Sequence, residues 1–144
     1  MSDFQVVFRL VLSCVLSGLI GLERQLRHRA AGLRTHILVC LGSTLIMLTS
    51  IYIFDIYKDK VSSDPARLAA GIITGIGFLG AGTIIRYGEE VKGLTTAASL
   101  WVVAAIGMGI GCGFYTASIA TTIIVLLVLL LLRRIEGSIL DKPC

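Results

Sequence analysis

The chain reads as an all-α membrane protein, a single domain over residues 1–144 forming a bundle of five transmembrane helices, with four as the alternative. Three observations predict this. Hydrophobic residues make up 56% of the chain and charged ones 15%, with a mean hydropathy of +0.91, which leaves too few polar groups to coat a water-facing surface. Five apolar runs each approach the roughly 20 residues that an α-helix needs to cross the hydrocarbon core. The runs between Asp64 and Gly113 are also studded with glycine. Helices in lipid associate through close backbone contact and hydrogen bonds, which selects Gly, Ala, Ser and Thr at their interfaces.

The first run, Phe4–Leu22, contains Arg9 and passes straight into GLERQLRHR, so it reads as a retained span and not as a cleaved signal peptide. His36–Phe54 is the second. The third, Ala66–Ile85, begins sharply, because Ser63-Asp64-Pro65 offers an N-cap carboxylate followed by proline at the first helical position. Leu94–Gly111 is the fourth. The fifth, Phe114–Leu132, is apolar on every face from Leu126 onward, which suits a peripheral, lipid-facing anchor. Between the last two, GIGCGFYTAS reads either as a turn or as a kinked continuous helix, and the second choice gives four spans. Short loops make sequential helices antiparallel neighbours.

Lys and Arg set the orientation. Arg24, Arg27, Arg29 and Arg34 flank the first connection, Arg86 and Lys92 the third, and Arg133, Arg134 and Lys142 the tail, all on one side. The opposite loops hold only Lys58 and Lys60. Cytoplasmic loops carry the basic excess, so the N-terminus is predicted outside and the C-terminus in the cytoplasm. This explains the formal charge of +4 without a nucleic-acid partner.

On the third helix Arg67, Gly71, Gly75, Phe78 and Gly82 recur at three- and four-residue steps with Thr74 alongside, a small face expected to meet protein. Thr96, Ser99, Val103, Gly107 and Gly111 give the fourth helix a second small face that can nest against the first. Gly71, Gly75, Gly82, Gly107 and Gly111 are therefore the expected packing glycines. The run Gly75-x-Gly77-x-x-Gly80 matches the dinucleotide fingerprint in letters only, since no polar-edged strand precedes it and no acid follows about 20 positions later. Each helical glycine costs about 1 kcal/mol against alanine, so local unwinding near mid-membrane is also open.

Ionisable residues at the borders of the spans form two groups. The outer one comprises Arg9, Asp64 and Arg67; the inner one Glu23, Arg24, Arg27, Arg34 and Arg86, with Thr95 and Thr96 opening the fourth helix. A charge at mid-bilayer costs at least about 2.5 kcal/mol and persists where it is paired or useful. The plain reading lets Arg9 and Arg67 snorkel outward while Glu23 pairs with neighbouring arginines. Glu23 resists a purely topological reading, because it closes an apolar helix bearing Gly18 and Gly21. It is expected to form an inner-gate pair with Arg27, Arg34 or Arg86. Arg9 lies about 21 Å away along a straight helix and is out of reach. Cys14, Cys40, Cys112 and Cys144 lack metal-ligand spacing and read as small buried hydrophobes. His28 and His36 read as ordinary loop histidines. No nucleophile–base arrangement is visible, so no enzymatic activity is expected.

The segments GLIGLERQLRHRAAGLRTHILVCLGS, DPARLAAGIITGIGFLGAGTII and VKGLTTAASLWVVAAIG together closely resemble the MgtC/SapB family of bacterial inner-membrane proteins over about Gly18 to Gly113. The resemblance implies a small polytopic inner-membrane protein linked to Mg2+ homeostasis and to growth under Mg2+ limitation. Carried over by position, it implies Glu23, Arg24, Arg34, Thr35, Asp64, Arg67 and the Gly93–Ala97 junction as characteristic polar positions. Virulence-associated members that restrain the proton-driven ATP synthase look like GLNTAA where this chain has Gly93-Leu94-Thr95-Thr96-Ala97-Ala98, and have Cys after Trp where this chain has Val102. They also append a soluble cytoplasmic domain, whereas this chain ends about a dozen residues after its last span. Restraint of the ATP synthase is therefore not expected here.

Two functions compete. A Mg2+ or other small-ion transporter needs oxygen ligands, usually one or two carboxylates. The sequence offers Asp64 at the outer mouth and Glu23 at the inner, with Arg9 and Arg67 repelling a divalent cation. Backbone carbonyls freed at the glycine stretch, or sites shared between protomers, would have to serve. A regulator that binds another inner-membrane protein or lipid through its small faces fits the charges better, because basic edges attract anionic headgroups by about 1 kcal/mol per residue. An arginine-lined anion path is a third, weaker reading. No cofactor is expected, with Mg2+ the one ion to consider, and a homodimer is the simplest closed assembly for two small faces.

Overall fold

Close approach between helices decides this architecture, and the smallest side chains mark where it happens. The computed structural model describes residues 1–58, 64 and 66–140, with side chains as far as Leu132. Its helices are α1 (Asp3–Leu26), α2 (Leu33–Tyr57), α3 (Ala66–Gly82), α4 (Leu94–Cys112) and α5 (Tyr115–Leu140). A short antiparallel hairpin of β1 (Ile85–Tyr87) and β2 (Glu90–Lys92) joins α3 to α4. α1, α2, α4 and the Tyr115–Leu132 part of α5 are long and apolar enough to cross a membrane. The chain is a helical membrane bundle.

α4 lies at the centre of this bundle. Its predicted small face is buried as expected, with Thr96, Ser99, Val103, Gly107 and Gly111 all inside. The neighbour differs from the one expected, because this face meets α2 and not α3. A Cβ at Gly107 would run into the Cys40 carbonyl oxygen, and one at Gly111 would stand 2.6 Å from the Met47 Cβ. Thr44 completes the contact, its hydroxyl lying 2.9 Å from the carbonyl oxygens of both Cys40 and Gly107. α1 approaches α2 just as closely, since a Cβ at Gly21 would come within 2.8 Å of the Leu33 Cα. Leu16, Ile20, Cys40, Val103, Ile106 and Ile110 fill the space between α1, α2 and α4.

α3 turns its other side inward. Ile72, Ile76 and Gly80, four residues apart, are its buried positions. Ile72 and Ile76 pack with Leu100 and Ala104, and Gly80 lies against Ala97. Gly71, Gly75 and Gly82 meet nothing within 4 Å, Phe78 is 83% exposed, and Arg67 and Thr74 also face outward. The expectation that this stripe packs inside the chain is overturned. Lipid exacts no hydration penalty from an outward glycine, and the branched isoleucines offer α4 more dispersion contact. The glycines do not unwind the helix, which runs unbroken from Ala66 to Gly82.

The ends of the helices follow local chemistry. Ser2 and Gln5 form a reciprocal capping box at the start of α1. The Asp64 carboxylate accepts from the Ala66 N–H at 2.8 Å, the cap expected for α3, while Ser63 and Pro65 lie outside the described residues. So do Lys60, Lys142 and Cys144 and the side chains of Arg133 and Arg134. Gly113, at φ +84°, ends α4 with Phe114 N–H to Gly109 O at 2.8 Å and Gly113 N–H to Ile110 O at 3.0 Å, a Schellman closure. The last hairpin is thus two helices, and α5 continues as helix past Leu132 to Leu140.

α3 spans only 17 residues, stopping three short of the predicted Ile85, because the chain turns into β1. Its rise of about 25 Å falls short of the roughly 30 Å hydrocarbon core. It still traverses the bundle, since Asp64 caps one end while Gly80 meets the first turn of α4 at the other. The hairpin that follows occupies the segment that the sequence marks only as the third connection. Its signal is Gly88, at φ +60°, in a two-residue turn between Tyr87 and Glu90.

Placing alanine at Gly107 should therefore destabilise the bundle by about 2 kcal/mol through overpacking, whereas Gly75→Ala should be neutral or slightly stabilising. Thermal unfolding of both variants in mild detergent checks this ordering.

Candidate functional site

Polar side chains collect at the two ends of the bundle. At one end, Arg9 reaches from α1 to the junction of α4 and α5. Its Nη1 donates to Gly111 O at 2.7 Å, its Nε donates to the Tyr115 hydroxyl at 2.8 Å, and the guanidinium lies over the Tyr115 ring at 5.7 Å. A cation here meets the negative end of the α4 dipole and one of its orphan carbonyls. Arg9 is therefore a clip joining three helices, and the snorkelling expected for it does not occur. Asp64 caps α3 and Arg67 is exposed, so the outer group does not assemble into one site.

At the other end, the last turns of α1 carry Glu23 and Arg24, which are 8% and 4% exposed. The Glu23 Oε2 accepts a charge-assisted hydrogen bond from Arg24 Nε, and Arg24 Nη2 stands beside the same oxygen as an ion pair. Arg27 places its Nε 3.5 Å from Glu23 Oε1 but is 43% exposed and makes no aligned hydrogen bond there. Oε1 is left buried with no hydrogen-bond partner. Of the three arginines expected as partners of Glu23, only Arg27 is near. Arg34 is exposed, and Arg86 donates instead to Gly88 O within the hairpin. The immediate neighbour Arg24 takes the strong bond. Consecutive residues on a helix point only about 100° apart, an angle that two long side chains can bridge.

Next to this pair, His36 bridges α2 and α4. It is fully buried, with Nδ1 2.8 Å from Gly32 O and Nε2 3.0 Å from Ser99 Oγ. The carbonyl can only accept, so Nδ1 carries a proton, and in the neutral form of the ring Nε2 is an acceptor. The Ser99 hydroxyl proton is then shared between that nitrogen and Thr96 O, 2.8 Å away. The reading of His36 as a loop histidine is corrected: it stands in the first turn of α2 against Gly21 of α1. Its signal was the spacing of four from Gly32, where an imidazole can reach back to the helix-opening carbonyl. His28 alone fits the loop reading, at φ 52° after α1.

The remaining sequence-derived positions scatter. Thr35 and Thr95 are exposed, while Thr96 is buried and contributes its carbonyl to Ser99. Glu23 and Asp64, the two carboxylates considered for metal, stand at opposite ends and share no site. Among the described residues no three His, Cys, Asp or Glu side chains gather as a metal set. Of the cysteines taken as buried, Cys40 is, Cys14 is only partly so, and Cys112 is exposed. Exposure of an apolar thiol carries no penalty on a lipid-facing surface.

Comparison with known proteins identifies the family. The model of the family described as "MgtC family" matches residues 10–138. The Escherichia coli K12 protein named "Putative magnesium transporter YhiD" is 45% identical over 140 residues, 96% of this chain and 65% of that protein. "Protein MgtC" of Salmonella typhimurium 14028s is 44% identical over 97% of this chain and 58% of its own length. "Protein MgtC" of Brucella abortus is 47% identical over 83% of this chain and 48% of its own. The chain thus spans about half to two thirds of the length of these relatives. No solved structure matches.

Replacing Glu23 alone by Gln leaves Arg24 buried without its counter-charge, and should destabilise the bundle by about 3–5 kcal/mol. The double change Glu23→Gln with Arg24→Met should recover most of that loss. Unfolding curves for both single variants and the double variant give the coupling directly.

Proposed function

The chain belongs to the MgtC family, and on that premise we propose that it is a non-enzymatic regulator of Mg2+ homeostasis in the bacterial inner membrane, acting through contacts between helix faces. The outward glycine face of α3 carries this reading. Gly71 and Gly75, with Gly42 of α2, floor an apolar cleft of about 340 Å³ between the two helices. A smooth groove of this kind admits another helix to backbone distance, the geometry by which transmembrane helices associate. A second copy related by a two-fold axis is the first occupant, and another inner-membrane protein the second. In this reading the N-terminus lies outside and the arginine-rich connections lie in the cytoplasm.

The interior favours a regulator over a conduit. Between the Arg9 end and the Glu23 end, Ile20, Val103, Ile106 and Ile110 are each 0–2% exposed and close the space with hydrocarbon. The printed name of the Escherichia coli relative favours the alternative, a transporter or channel element for Mg2+, whose path would then run between protomers.

Gly75→Leu should leave the monomer folded, since nothing lies within 4 Å of that position, while abolishing self-association and support of growth at low Mg2+. Crosslinking in native membranes and growth assays read the two effects. Purified protein in sealed liposomes should show no Mg2+ flux. A flux abolished by Asp64→Asn or Glu23→Gln would replace the regulator with the transporter.

A further inference from the structure

The Glu23 carboxylate has work left undone by the pairings above. One oxygen is hydrogen-bonded and ion-paired to Arg24, and the other, Oε1, is buried without a hydrogen bond. A buried carboxylate oxygen left unsatisfied is costly in an apolar setting. Arg27, whose Nε lies 3.5 Å from Oε1, stands beside it. Glu23 and Arg27 border a cleft of about 380 Å³ between α1 and α5, whose other walls are Leu19, Leu22, Leu26, Leu126 and Leu130. The cleft opens on the surface that the fold gives to lipid, with Leu22 46% and Leu130 44% exposed.

We propose that this cleft is a binding site for a phospholipid with a primary ammonium headgroup, phosphatidylethanolamine in a bacterial membrane. Each part of that molecule has a counterpart. The ammonium donates to Glu23 Oε1, supplying the missing hydrogen bond. The phosphate is met by Arg27, which is 43% exposed, lacks an aligned bond to Glu23 and is free to swing outward and uncover Oε1. One acyl chain follows the five leucines. Glu23, Arg24 and Arg27 together carry one net positive charge, which the phosphate of any phospholipid can meet. The selection therefore rests on the N–H donor that Glu23 Oε1 lacks. Phosphatidylcholine offers the same phosphate and chains but no N–H. Phosphatidylglycerol offers a hydroxyl in place of the ammonium, and charge-assisted hydrogen bonds are about twice as strong as neutral ones. The site is independent of the α2–α3 groove and of any choice between regulator and transporter.

The test is native mass spectrometry of the full chain released from detergent containing each lipid in turn, with lipid-dependent thermal stabilisation as a second readout. Retention of phosphatidylethanolamine should exceed that of phosphatidylcholine by about tenfold, the worth of one charge-assisted hydrogen bond. Glu23→Gln should erase the preference. Because that variant also strains the fold, Leu126→Trp, which fills the cleft from the α5 side, and Arg27→Gln, at an exposed position, serve as companions. Both should remain folded and lose retention. Equal retention of the two zwitterions, a preference for phosphatidylglycerol, or undiminished binding by Leu126→Trp would overturn the assignment. So would capture of a co-purifying protein on this face in place of lipid.

Discussion

The contact between α2 and α4 holds the rest of the molecule in place. At Gly107 and Gly111 the two backbones come so near that a single added carbon has nowhere to go. Such proximity turns weak groups into effective ones. Thr44 can reach a carbonyl on the facing helix, and His36 can span from the opening of α2 to Ser99. In a solvent without water these few polar bridges have no competitor, so they fix the rotation of α4 about its own axis. That rotation in turn presents Leu100 and Ala104 to α3.

The same scarcity of water explains the ends. Arg9, Glu23 and Arg24 are charges that the bilayer would reject alone, and each is answered within the chain by a specific geometry: a helix-end carbonyl and a phenol in one case, a hydrogen-bonded carboxylate–guanidinium pair in the other. Among the described residues neither end gathers the oxygen-rich cluster that a dehydrated divalent ion demands. What the Glu23 end offers is a polar edge over a leucine-walled recess, the shape of an amphiphile.

Much of this was legible in the residues. Apolar run lengths located every helix, Asp64 announced the start of α3, and the Thr96–Ser99–Val103–Gly107–Gly111 periodicity named the buried face of α4. The partner of that face was not legible, because a small-residue stripe specifies close approach without saying to what. Two such stripes on neighbouring helices suggested each other, yet Gly107 met Cys40, and Gly71 met nothing. The Glu23 site was half legible. The sequence pointed to Arg27, Arg34 or Arg86 as partners, whereas the adjacent Arg24 took the bond through side-chain reach near the helix end. His36 was hidden by its neighbours in sequence, a loop-like run whose burial arises only when Gly21 lets α2 close on α1.

The shortness of α3 has a mechanical corollary. A helix about 5 Å shorter than the hydrocarbon thickness obliges the surrounding leaflets to pinch inward along its exposed side, at a fraction of a kcal/mol per ångström. That elastic stress is relieved whenever another protein surface replaces the compressed lipid, and relieved less in a thinner membrane. In the proposed reading, in which another helix docks on this side, association would be coupled to bilayer thickness, and the acyl-chain composition of the cell would be an input to it.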